Sequence, residues 1–219
     1  MILKACIFDL DGVIVNTAKY HFLAWKKLAD QLGVNFTHAF NERLKGVSRM
    51  ESRETIVKSG DIILDEQEKE ELAAKKNNWF VKYLNNMSVN ETLPGVVSFL
   101  DDIEHNHIRK AIGSASKNAG LAIRKIGLED RFDLIIDGTM VSRAKPDPEV
   151  FLKAASGLGL PPAQCLVFED ARAGIQAAHN GEMKCVGVGN PDILGEADVV
   201  IDSFSNINWT TILTLLNSK

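Results

Sequence analysis

Six short apolar runs rich in branched residues constrain the fold of this chain more than any other feature. They are Ala5-Cys6-Ile7-Phe8, Lys110-Ala111-Ile112-Gly113, Leu134-Ile135-Ile136, Leu166-Val167-Phe168, Cys185-Val186-Gly187-Val188 and Val199-Val200-Ile201. Runs that stay apolar without alternating are buried on both faces, as strands inside a parallel sheet are. Stretches of helical periodicity separate them, at Val96 to Asn106, Asn118 to Ile126, Pro148 to Gly157 and Ala171 to Asn180. Such alternation predicts an α/β fold, a doubly wound parallel sheet with right-handed crossovers.

The stretch from 17 to 87 breaks this rhythm. It offers helical patterns, including Tyr20 to Gln31 and Glu66 to Leu84, and no convincing strand. It is expected to be an inserted all-helical cap domain, leaving 1–16 and 88–219 as the core; the plainer alternative is that these helices cover one face of the sheet. The exit runs through Thr92-Leu93-Pro94-Gly95, a turn signal where a hinge is expected.

Bulk properties exclude several classes of function. At 219 residues, 45% hydrophobic and 25% charged, the chain can bury a full core. Its net charge of -4, with acids and bases interspersed, gives neither a nucleic-acid footprint nor a basic membrane-binding face. Cys6, Cys165 and Cys185 lack CxxC spacing and sit in apolar surroundings, which argues against disulfides or zinc and for a reducing cytoplasm. The N-terminal apolar run is broken by Asp9 and Asp11, too soon for a signal peptide or membrane span.

In an open parallel sheet, ligands gather outside the carboxyl ends of the strands. Asp9-Leu10-Asp11-Gly12 follows the first run and Glu169-Asp170 follows the fourth. If the first strand persists, alternate residues point the same way and the Asp9 and Asp11 carboxylates converge. Four acids at two strand ends repel one another unless a cation or protons intervene, and Mg²⁺ suits such oxygen-rich sites. An Asp-x-Asp-Gly alone is more often a mere turn. Here it has company: Ser114 follows the second run and Lys145 the third, a hydroxyl and an ammonium suited to a phosphoryl group.

Phe8-Asp9-Leu10-Asp11-Gly12-Val13, Ser114-Ala115-Ser116, Lys145-Pro146 and Glu169-Asp170 resemble, in order and spacing, the four signature motifs of the haloacid dehalogenase-like superfamily. The resemblance spans nearly the whole chain and implies a Rossmann-like core and an aspartyl-phosphate intermediate. Asp9 would be the nucleophile and Asp11 the general acid and base, while Ser114 and Lys145 hold the phosphoryl group. Asp9, the Asp11 backbone carbonyl, Glu169 and Asp170 would bind Mg²⁺. A dehalogenase has no need of Asp11, so its presence favours phosphate chemistry.

The helical insertion also resembles that of the family's sugar phosphomutases. Thr17-Ala18-Lys19-Tyr20-His21, Trp25, Leu44-Lys45-Gly46-Val47-Ser48-Arg49, Lys76-Asn77 and Ser114-Ala115-Ser116-Lys117-Asn118 carry this likeness. It implies that β-glucose 1-phosphate and glucose 6-phosphate interconvert through β-glucose 1,6-bisphosphate in a monomer. Arg49, Ser116, Lys117 and Asn118 would grip the phosphate not being transferred, and His21 and Lys76 would couple cap closure to Asp11. Gly46, Val47, Ser48, Trp25 and Ala115 are expected to line the substrate.

Each cap residue has a plainer reading. Trp25 would be core; Arg49, Lys45 and Lys76 would be solvated charges; Lys117-Asn118 would simply open a helix. Two departures from common family patterns stand out. Asn16 replaces a frequent aspartate, and Glu169-Asp170 replaces Gly-Asp, the latter in keeping with the mutases. A capped phosphatase and a non-catalytic sugar-phosphate sensor remain as rival readings.

Overall fold

The computed structural model describes residues 2–45 and 47–218. Strand β1 (Ala5–Phe8) is followed by four helices, α1 (Ala18–Gln31), α2 (His38–Glu42), α3 (Arg49–Ser59) and α4 (Glu66–Asn85). Helix and strand then alternate through α5 (Val96–His105), β2 (Arg109–Gly113), α6 (Ala119–Lys125), β3 (Leu134–Ile136), α7 (Glu149–Gly157) and β4 (Cys165–Glu169). The chain continues with α8 (Arg172–Asn180), β5 (Lys184–Val188), α9 (Pro191–Leu194), β6 (Val199–Ile201) and α10 (Trp209–Asn217). Each strand coincides with one of the six apolar runs to within about one residue at either end, the usual uncertainty of an element boundary.

The strands form one sheet in the order β3-β2-β1-β4-β5-β6, with every neighbouring pair parallel. This is the doubly wound Rossmann-like order. Because side chains alternate across a strand, β1 splits its burial between two layers. Cys6 and Phe8 join the core built with α5, α6 and α10, while Ala5 and Ile7 join the core built with α7, α8 and α9. Phe8 stacks on Phe168 of β4 at 4.9 Å, and Phe99 and Phe204 close around the pair. Each such ring contributes about 1.5–3 kcal/mol on burial. All three cysteines are buried free thiols.

Helices α1 to α4 share a cluster of their own, containing Trp25, Leu28, Ala29, Val34, Phe36, Leu44 and Ile56. Ala24, Phe80 and Leu84 meanwhile pack into the sheet's first core. Capping boxes start two of these helices, Ser48 with Glu51 at α3 and Asp65 with Glu68 at α4. The segments entering and leaving them run side by side, with Asn16 N donating to Glu91 O at 2.8 Å and Leu93 N to Ile14 O at 3.0 Å. Gly95 then turns with φ 81° where a Cβ would strike the Phe204 backbone at 2.3 Å, so only glycine fits. Among the described residues no helix is long and apolar enough to cross a membrane.

Candidate active site

The strand order reverses between β1 and β4, and that is where the acids lie. Just past the end of β1, Asp9 donates its N–H to Phe168 O at 2.9 Å. Glu169 ends β4 and Asp170 follows it; Lys145 reaches in from the loop after β3. Its Nζ donates to Asp9 Oδ1 at 2.6 Å and to Glu169 Oε2 at 2.9 Å, with all three side chains almost fully buried. Burial disfavours the Lys145 charge, but the two carboxylates more than offset this and hold its pKa above the usual lysine value.

Burial also drives up the acids. Asp9 is raised by desolvation despite Lys145, and Glu169 is raised well above the carboxylate range by burial and then by Asp9. Asp170 is pushed up to about 7 by burial and by Asp9. Lys145 and the more distant Lys45, which faces Asp170 alone of the three, do not neutralise three converging acids. Their oxygens gather within 4.8 Å of one another, and Glu169 Oε1 is buried without a partner. Two glycines make room for them: a Cβ on Gly12 would lie 2.2 Å from Asp170 Oδ2, and one on Gly174 would lie 2.0 Å from the Glu169 carboxyl carbon. Asp9, Glu169 and Asp170 therefore fit a divalent cation with oxygen preference.

Asp11 does not join that group. The strand ends at Phe8, so the two aspartates part instead of converging as a continued strand requires. Asp9 Oδ2 accepts the Asp11 N–H at 3.0 Å, while the Asp11 carboxylate turns to the Thr17 hydroxyl and to His21, whose Nε2 is 3.7 Å away. Lys76 Nζ lies 3.0 Å from His21 Nδ1 and sits over the rings of Trp25 and Phe80 at 4.5 and 4.6 Å. With Lys76 donating to Nδ1, the ring proton belongs on Nε2, facing Asp11. Burial raises the Asp11 pKa, but His21, Thr17 and Lys76 outweigh it and leave the group below its ordinary value. His21 is lowered by burial and then by Lys76, and Lys76 falls to about 7 through burial and Arg49.

These groups open onto one cavity of about 770 Å³ between α1, α3, α4 and the strand ends. Asp9, Asp11 and Asp170 line it from the sheet, with Ala115, Ser116, Lys117 and Asn118 beside them. His21, Trp25, Val47, Ser48, Arg49 and Lys76 line it from the helices. Gly46 lies outside the described residues. Ser114, Lys145 and Glu169 are buried beneath the lining, and Ser114 Oγ accepts the Ser116 N–H at 3.1 Å.

The plainer readings fare unevenly. Trp25 is both core and wall, 3% exposed. Lys76 is no wet helix face, at 2% exposed. The Ser48 hydroxyl accepts the Glu51 N–H at 3.3 Å and so caps α3 as well as lining the cavity. Asn118 precedes α6 without capping it; its amide donates instead to Asn77 Oδ1 on α4 at 2.9 Å. Two contacts had no signal in the sequence, because each joins distant segments: that amide pair, and Lys45 Nζ 3.8 Å from Asp170 Oδ2.

A six-stranded parallel sheet with an acid and lysine group at its switch point, beneath a helical cover, defines an α/β protein of Rossmann-like class equipped for chemistry on an anionic small molecule. The chain belongs to the haloacid dehalogenase-like hydrolase family, whose model matches residues 6–188. It is 41% identical over 207 residues to a Bacillus subtilis β-phosphoglucomutase, covering 94% of this chain and 92% of that one. A crystal structure of β-phosphoglucomutase from Clostridium difficile superposes with a TM-score of 0.94 at 42% identity, over 99% and 98% of the two chains. A Thermotoga maritima phosphorylated carbohydrates phosphatase is 29% identical, over 80% of each.

Proposed function

We propose that the protein is a phosphomutase that interconverts β-D-glucose 1-phosphate and D-glucose 6-phosphate through β-glucose 1,6-bisphosphate. The observation that carries this reading is the pairing, in one cavity, of the Asp9 group with a second set of anion-binding side chains. Arg49, Ser116, Lys117 and Asn118 line the same space, and among the described residues neither Arg49 nor Lys117 is held in an ion pair. Partial burial lowers the Arg49 pKa, and a guanidinium without a carboxylate partner has the fork geometry for a bidentate phosphate. A phosphatase needs one phosphoryl subsite; a bisphosphate needs two. The likeness to two β-phosphoglucomutases supports the same choice.

In this reading residues 1–16 and 88–219 form the catalytic core, and 17–87 a cap that moves about the paired segments at Asn16 and Glu91. From the aspartyl phosphate on Asp9, a free hydroxyl of the sugar monophosphate attacks phosphorus, the bond to the Asp9 oxygen breaks, and the hydroxyl proton passes to Asp11, giving the bisphosphate. In the return step a carboxylate oxygen of Asp9 attacks the other phosphorus of the bisphosphate, the bond to the sugar oxygen breaks, and that oxygen takes the proton which Asp11 received from the hydroxyl. Because its surroundings lower its pKa, Asp11 starts as a base and becomes an acid only after taking that proton. His21 and Lys76, both on cap helices, fix its carboxylate, so a properly placed acid depends on a seated cap. Ser114 and Lys145 hold the transferred group. Mg²⁺, held by Asp9, Glu169, Asp170 and the Asp11 carbonyl, would neutralise charge on the transferring phosphoryl oxygens. The reading makes the enzyme a cytoplasmic monomer whose buried thiols stay reduced.

A coupled assay tests the choice of acceptor. With Mg²⁺ and a bisphosphate primer, β-glucose 1-phosphate is expected to yield glucose 6-phosphate, and the α anomer is not. Rapid phosphate release with no glucose 6-phosphate would instead identify a phosphatase. A second test concerns the ion. Chelation is expected to abolish turnover, and returning Mg²⁺ should restore it and raise the melting temperature, since an ion bound only by the folded state stabilises that state. An unchanged melting temperature at saturating Mg²⁺ would remove the acids from the role of ligands.

A further inference from the structure

Lys145 stands on a stretch with no helix or strand of its own, between Ile136 at the end of β3 and Glu149 at the start of α7. A long flexible side chain on such a stretch would not by itself hold a 2.6 Å contact with Asp9. The first residue of α7 supplies the missing constraint. Glu149 Oε2 accepts hydrogen bonds from Ser142 N at 3.0 Å, Ser142 Oγ at 2.9 Å and Arg143 N at 2.8 Å. Its other oxygen lies 2.7 Å from Lys153 Nζ, one turn along α7, and the same ammonium donates to Met140 O at 2.6 Å.

The carboxylate is suited to this task. The Lys153 ammonium, then the Arg143 and Ser142 donors, hold its pKa down to about 2, so it stays charged at any working pH. Its place in the first turn of α7 adds the favourable end of the helix dipole. The far side of the loop is tied as well: Asp147 N donates to Ala144 O at 2.9 Å, and Asp147 Oδ1 accepts the Glu149 N–H at 2.9 Å. Lys145 is thus flanked on both sides by backbone fixed to one helix start.

We propose that Glu149 is a positioning residue for phosphoryl transfer, clamping residues 140–143 to α7 so that Lys145 is held against Asp9 and Glu169. It touches neither substrate nor reacting atoms and acts through Lys145. The inference rests on Asp9 being the nucleophile, and holds whether the phosphoryl group passes to sugar or to water.

The test compares Glu149→Gln and Glu149→Ala with the wild-type enzyme in Mg²⁺, with rates taken per folded molecule from circular dichroism. Two quantities are read: the single-turnover rate of Asp9 labelling by a small acyl-phosphate donor, and kcat and KM for the sugar phosphate. A displacement of Lys145 by about 1 Å is expected to slow labelling and kcat roughly 10–100-fold. KM should stay within about threefold, because the clamp does not touch the sugar. A labelling rate close to wild type in both variants overturns the proposal, as does a loss confined to KM that vanishes at saturating substrate. Should the alanine variant fail to fold, the isosteric glutamine variant decides. Absence of labelling in the wild-type enzyme would overturn the nucleophile itself, and the clamp's role with it.

Discussion

Asp9→Asn is expected to lower turnover by roughly 10⁴-fold or more, because a carboxamide cannot form the acyl phosphate on which both half-reactions depend. The substitution isolates chemistry from folding. Asparagine keeps an oxygen for the Lys145 ammonium, now 2.6 Å from Asp9 Oδ1, and gives up the one hydrogen bond that Asp9 Oδ2 accepts from the Asp11 N–H. It also removes one of the acids whose mutual repulsion and burial raise Asp9, Glu169 and Asp170. The fold should therefore survive with little loss in melting temperature, while phosphoryl-enzyme labelling disappears. Steady-state assays with β-glucose 1-phosphate and the labelling experiment measure the two halves of the claim. A variant that kept a tenth of the wild-type rate would show that another group attacks phosphorus.

How much of this was readable in advance depends on the range of the interaction concerned. Strands such as Leu134–Ile136 were legible because burial on both faces leaves an unbroken apolar run, a purely local signature. Asp9, Glu169 and Lys145 were legible because they stand at or beyond strand ends, and parallel strands deliver their carboxyl ends to one edge. The direction of Asp11 was not. It depends on β1 stopping at Phe8, and on Thr17 and His21 arriving from the next helix. The state of Lys76 was hidden for a similar reason. Lys75-Lys76-Asn77-Asn78 reads as a polar helix face, and only the packing of α4 against α1 buries one of these lysines beneath Trp25 and beside His21. Resemblance, not pattern, singled it out. Glu149 left no trace at all in periodicity, since what it organises is an irregular loop.

Lys76 carries the second large effect, in which function and stability oppose each other. Its ammonium is buried, with a pKa of about 7 against the ordinary 10.5, so the folded protein binds a proton there less readily than the unfolded chain does. Above about pH 10.5 the amine is neutral in both states and burial costs no charge. As pH falls from there to about 7 the unfolded chain takes up the proton first and stability drains away; below about 7 the full penalty is present. Lys76→Met removes the charge while keeping the contacts with Trp25 and Phe80. The variant is expected to gain on the order of a few kcal/mol at pH 6 and much less at pH 10. Taking the difference between variant and wild type at each pH cancels the titrations that Lys76 does not influence, leaving its own and those of His21 and Asp11, whose pKa values it lowers. Activity should move the other way, because His21 Nδ1 loses its donor and Asp11 loses the arrangement that fixes it. Melting curves at the two pH values, set beside kcat for the mutase reaction, give both readings. Equal gains in melting temperature at pH 6 and pH 10 would mean that Lys76 is not the buried charge it is taken to be. A gain at pH 6 with undiminished kcat would detach it from Asp11. Retaining a destabilising charge in this position is what a site selected for catalysis over stability would do.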